Sequence, residues 1–165
     1  MNESLQNLID ALREELKEYG EMLALLDQQQ EQVMQRSAQD MLQCVAAINA
    51  QAETIATTRL ERQQRQRHIS LCLNLPENAG FTDITPRVPA EYRPLLQALV
   101  QENNQLLGRI QHRARQNHLL LTRIVDLMQR FLSTLFPGMQ PTTYNDAGHV
   151  LASAPPKRSL YDAVG

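Results

Sequence analysis

From Leu5 onward the apolar positions of this chain run Leu5, Ile9, Leu12, Leu16, Tyr19, Leu23, Leu26, Val33. Steps of three and four residues are those of one face of an amphipathic helix. Asn2 or Ser4 can cap its start, and acids fill the first turns, where the helix dipole favours them. The next periodic positions, Ser37 and Asp40, are polar, and the stripe resumes in a new phase at Met41, Val45, Ile48, Ala52 and Ile55. Ser37 followed three residues later by Asp40 reads as an imperfect N-cap. The chain therefore either breaks near Arg36–Ser37 and turns, or continues as one helix with a four-residue stutter. The cap favours the break.

A second helix then runs from residue 38 to about Leu73, and Pro76 ends it by withholding a backbone donor and restricting the residue before it. Residues 76–94 hold four of the eight prolines and read as an extended connector, chiefly 76–90, with Phe81, Ile84 and Val88 as points of attachment to a helical core. A third helix is expected over 90–136, on Leu96, Leu99, Asn103, Leu106, Ile110, Asn117, Leu121, Ile124, Met128, Leu132 and Leu135. That alternation lasts for about forty residues, or about 60 Å. Asn103 and Asn117 fall inside the apolar seam, where a polar residue can fix register at some cost in stability. Phe136–Pro137–Gly138 stops the helix, and residues 137–165 read as a flexible tail.

The pattern predicts an all-α chain: an elongated antiparallel helical bundle or coiled coil of about three long helices (3–36, 38–73, 90–136). Residues 3–136 would form the bundle. Such a thin bundle has a poor surface-to-volume ratio, so part of its apolar stripe is expected to lack an internal partner. The segment from Leu119–Leu120–Leu121 through Phe131, Leu132, Leu135 and Phe136 is apolar on more than one face and is where this is most pronounced.

Composition narrows the class. Aromatic residues are 4 %, with no Trp, which disfavours a β domain or a base-stacking surface, and no stretch approaches the length of a membrane span. The net charge of −2 hides an asymmetry: residues 1–56 carry ten acids against Arg13, Lys17 and Arg36. The remainder is correspondingly basic, so a chain folded back on itself would bring opposite charges together. Cys44 and Cys72 have no CxxC spacing and read as reduced thiols in a cytosolic protein. The opening MNESLQNLID lacks the basic and long apolar regions of a signal peptide. A cytoplasmic location is expected, without membrane insertion.

No catalytic constellation stands out. His112 and His118 are six residues apart and so lie on different helix faces, unlike an i, i+4 metal pair, and no phosphate-loop or nucleophile motif is present. We expect no enzyme activity, no cofactor and no metal. Arg59, Arg62, Arg65, Arg67 and His68 could form a phosphate-contacting patch, but a solvated helix face near a C-terminus accounts for them better. No nucleic-acid partner is expected.

Three passages resemble the FlgN family of flagellar type III export chaperones. Residues 142–148, TTYNDAG, resemble the family's tail signature at Tyr144, Asp146 and Gly148, with departures at Asn145 and Ala147. Gln116-Asn117-His118-Leu119-Leu120-Leu121 resembles its Asn-Gly-x-Leu-Leu segment, with His118 replacing the glycine. Residues 23–62 resemble its leucine stripe, polar break and second long helix. The resemblance implies a cytosolic chaperone that holds the terminal helical segments of hook-associated (hook-filament junction) proteins and delivers them to the cytoplasmic domain of the membrane export gate. It implies client contacts at Asn117, Leu120, Leu121, Ile124, Met128, Leu132 and Leu135, and gate docking at Tyr144. The residues themselves also allow a generic coiled-coil adaptor that self-associates, a homodimer included.

Overall fold

In the computed structural model, residues 2–35 and 38–135 are described, and they form four α-helices with no strand among them. Helix α1 spans Asn2–Gln35, α2 Ala38–Cys72, α3 Phe81–Ile84 and α4 Arg93–Leu135, with a 3-10 turn at Thr85–Arg87 after α3. Three long helices are thus joined by a fourth, short one. The chain divides into two compact units, residues 1–118 and residues 119–165, of which 119–135 are described in the second.

In the first unit α1 and α2 run antiparallel. Cys44 Sγ donates to the Leu25 carbonyl, Gln51 reaches Glu18, Arg62 reaches Glu15 and Arg65 reaches the Asn7 carbonyl. The reversal excludes the continuous helix with a stutter and supports the break. Residues 36 and 37 themselves lie outside the described residues.

The face that α2 turns inward differs from the expected stripe. Val45 and Ala52 are exposed, while Cys44 is buried and Met41, Ile48 and Ile55 are half-buried. The cause is polar: Gln51 lies on the same line and donates to the Glu18 carboxylate (2.6 Å) and to the Glu18 carbonyl (3.1 Å). A helix held partly by hydrogen bonds shows little apolar periodicity.

Helix α4, up to His118, runs parallel to α1. Asn103 Nδ2 donates to the Leu12 carbonyl and Asn117 Nδ2 to the Leu26 carbonyl, each 91 residues away in sequence. One constant offset over two heptads is the signature of a parallel heptad pairing. Arg113 joins the same seam through an ion pair with Asp27 (2.6 Å).

The densest packing lies at one end of this unit. Leu5, Leu8, Ile9 and Leu12 of α1 meet Ile69 of α2, Leu96 and Leu99 of α4, and Ala79, Ile84 and Val88 of the connector. The connector is therefore not simply extended. Residues 81–87 wind into α3 and the 3-10 turn, so that Ile84 and Val88 point into the core, with Phe81 packed at its edge. Four residues are too few to show periodicity, and three prolines nearby mask the turn.

The end of α2 is set by Asn74 in the left-handed region (φ 53°). Leu75 N–H donates to the Ser70 carbonyl (2.8 Å) and Asn74 N–H to the Leu71 carbonyl (3.1 Å). These are the two bonds of a Schellman cap, so the turn is made before Pro76 is reached. Helix α4 begins at Arg93, with Pro94 in its first turn, where the missing donor costs nothing.

Candidate functional site

Residues 119–135 form the C-terminal stretch of α4. With Ile124 and Phe131 at heptad position a, Leu120 and Leu127 fall at d, Leu121, Met128 and Leu135 at e, and Val125 and Leu132 at b. At about 100° per residue these nine side chains span an arc of about 160°. Leu119, Thr122, Arg123, Asp126, Gln129, Arg130, Ser133 and Thr134 occupy the rest, Leu119 being the one apolar side chain among them. A core-facing helix needs an apolar stripe of only about 100°.

This face is open. Leu127, Met128, Phe131, Leu132 and Leu135 are 54–64 % exposed, and Val125 is exposed as well. Leu120, Leu121 and Ile124 are half-buried. Single exposed leucines are ordinary, but a contiguous apolar arc on one helix marks an interaction surface.

The expected client-contact residues separate into two groups. Leu120, Leu121, Ile124, Met128, Leu132 and Leu135 all lie on this arc. Asn117 does not: it is 2 % exposed, and its amide donates to the Leu26 carbonyl (2.7 Å) and to Gln29 Oε1 (2.9 Å) of α1. It closes the α1–α4 seam. Leu127, Phe131 and Val125 join the surface although they were not among the expected contacts. Their signal is present in the sequence: Phe131 belongs to the segment that is apolar on more than one face, and the row Leu120–Ile124–Leu127–Phe131 repeats the three–four spacing beside Leu121, Met128, Leu132 and Leu135. Tyr144 lies outside the described residues.

The first unit contains a second polar feature. Glu15 is buried on α1 and accepts from Arg62 Nε (2.9 Å) and from the Tyr19 hydroxyl (2.9 Å), while Arg59 Nη2 donates to that hydroxyl (2.6 Å). Burial pushes the Tyr19 phenol above its usual range, with the Arg59 hydrogen bond working against the shift. Arg62, only 15 % exposed, also lies over the Phe81 ring. Most of the arginine run is therefore not a solvated face: Arg59, Arg62 and Arg65 are all directed onto α1. Arg67 alone among them is exposed without a partner on α1. A groove of about 530 Å³ opens beside this network, between Arg59, Gln63, Phe81 and Leu107.

Among the described residues no three His, Cys, Asp or Glu side chains gather to hold a metal ion, and no helix is long and apolar enough to cross a membrane. Cys72 Sγ (3.7 Å) and Ser4 Oγ (3.3 Å) both approach His68 Nε2 at the exposed end of α2.

An exposed amphipathic segment of a long helix is what a protein-holding surface requires, and comparison with known families says which kind of protein carries it. The family model for FlgN protein matches residues 1–151. The chain belongs to the FlgN family. FlgN proteins are flagellar export chaperones, which bind flagellar proteins. The match covers the α1–α4 seam and the whole of the exposed segment, and it extends past Tyr144. No curated protein and no solved structure matches this FlgN chain.

Proposed function

We propose that this chain is a cytoplasmic chaperone of flagellar type III export. It binds the terminal helical segments of hook-associated proteins, prevents their premature assembly and delivers them to the cytoplasmic domain of the export gate. In this reading the three long helices act as an antiparallel coiled-coil scaffold. The client lies along Leu120, Leu121, Ile124, Met128, Leu132 and Leu135, and Asn117 anchors the start of that surface. Tyr144 contributes to gate docking. The observation that carries the reading is the open apolar arc of residues 119–135 in a chain of this family.

The mechanism needs no nucleotide and no covalent step. An amphipathic client helix lays its apolar face on the arc, the helix-docking mode of peptide recognition. Occupancy then opposes client assembly by mass action, because the bound segment is withdrawn from the free pool. The same arc would also serve self-association, which gives the rival reading of a coiled-coil adaptor.

Light scattering on a size-exclusion column separates the two. The full chain mixed with a hook-associated protein should give a stoichiometric complex that Leu132→Asp abolishes while the helical content stays unchanged. Self-association with no client complex would establish the adaptor instead. Tyr144→Ala should leave the client complex intact and weaken binding to the gate's cytoplasmic domain; an unchanged gate affinity would remove that assignment.

A further inference from the structure

We infer that the helix which covers the face of residues 119–135 carries acidic side chains along the edge that meets Arg123 and Arg130. The inference rests on the chaperone reading above and adds the electrostatic character of the partner segment. The two arginines are seven residues apart, at heptad position g, beside the Leu120–Leu127 row. Both are exposed. Neither enters an ion pair among the described residues, whereas Arg59, Arg62 and Arg113 are each spent on an acid of α1.

The two borders of the arc are unequal. Beyond Val125 and Leu132 the polar residues are Thr122 and Gln129, both uncharged. The one acid of the segment, Asp126, lies on the polar arc three residues after Arg123 and four before Arg130, within reach of both, yet it forms an ion pair with neither among the described residues. A partner helix therefore meets cations on one border and neutral groups on the other. In paired helices the charges flanking the apolar seam set partner choice and orientation, and they act mainly on specificity and on the rate of encounter. The arginine stems also extend the apolar surface, so acids opposite them are reached without giving up packing. A lipid surface is the less favoured occupant, because two arginines and an aspartate make a weakly basic polar face.

The test uses the full chain and two designed amphipathic peptides of about twenty residues, long enough to be helical. The peptides share one leucine–isoleucine face and differ only in the residues on both of its flanks, which are all Glu in one and all Lys in the other. Affinities are read by fluorescence anisotropy at low and high salt, for the natural chain and for Arg123→Glu/Arg130→Glu. The expected result is an about tenfold preference for the Glu peptide, equivalent to about 1.4 kcal/mol. It should shrink at high salt and reverse in the double variant.

Equal affinity for the two peptides, or a preference that survives charge reversal, would overturn the inference while leaving the chaperone reading in place. Failure of both peptides to bind would overturn the inference, and the absence of any complex between the natural chain and a hook-associated protein would remove the chaperone reading as well. Anionic vesicles binding the chain in place of the peptides, or a dimer that neither peptide dissociates, would equally overturn it by naming another occupant.

Discussion

Helix α4 repeats one heptad pattern in two regions and uses it in two ways. Up to His118 the a positions include Asn103 and Asn117, both buried against α1 with their amides on its backbone. From Leu119 on, the a positions are Ile124 and Phe131, and the face they head is exposed. A seam formed within one chain can carry asparagines, because the helices are tethered and need register more than affinity. A face open to a separate molecule would gain from uninterrupted apolar area, since association costs translational and rotational freedom. The polar a residue marks the seam already occupied.

Substitution at equivalent leucines should separate the two regions most sharply. Leu96, fully buried among Leu5, Leu8 and Ile84, should cost about 2–5 kcal/mol as Leu96→Ala in urea unfolding. Leu132→Ala should change stability by no more than about 0.5 kcal/mol, in keeping with an exposed position, while weakening any client complex. Comparable losses of stability at both sites would make residues 119–135 part of the core and erase the distinction.

The Glu15 network tests whether polar groups are structural in the first unit. Glu15→Ala leaves Arg62 without its buried counter-charge and deprives the Tyr19 hydroxyl of its acceptor. Breaking a fully buried pair costs about 3–5 kcal/mol; with Arg59 partly exposed, a loss of about 2 kcal/mol is expected, read as a lowered urea midpoint. A change within error would mean that the arginines find water as good a partner as Glu15.

Much of this contrast was legible beforehand. The stripes of α1 and α4 could be read because each helix faces a neighbour with apolar side chains, so burial and periodicity coincide. Helix α2 could not be read as well. Its contacts with α1 run through Gln51, Arg59 and Arg62, which periodicity counts as polar and therefore outward. The arginine run was assigned to solvent for the same reason, although the acidic excess of α1 already named its partners. On the exposed segment the sequence already shows an apolar run through Phe131 on more than one face, whereas the client contacts that the family resemblance implies include Leu132 and leave out Leu127 and Phe131.

The asparagines allow a subtler test. Asn103 Oδ1 and Asn117 Oδ1 are buried without an acceptor's partner, a cost that the donated hydrogen bonds only partly offset. Asn117→Leu removes that cost but leaves Gln29 Oε1 without its donor, so stability should change by no more than about 1 kcal/mol. It should also loosen the register of α4 on α1, visible as weaker amide-exchange protection around Leu26 and Gln29. Undiminished protection would show that the tether alone sets the register.

The smallest expected effect depends on pH. The hydrogen bond from Gln51 holds the Glu18 carboxyl below the usual carboxylate range, against the opposing effect of its own burial. A group whose folded pKa is depressed stabilises the fold above its unfolded pKa, and that contribution disappears as pH falls through the folded value. Acidification from neutral pH through the carboxylate range should then remove stability that Glu18→Gln no longer has to lose. Because the exposed Lys17 also reaches the Glu18 carboxylate, solvent screens the contact and the difference should be a few tenths of a kcal/mol. Gln51→Ala should flatten the dependence in the same way, since it removes the donor rather than the acid. Urea midpoints for the three chains across that interval provide the measurement, and parallel slopes would assign the α1–α2 contact at this point to packing alone.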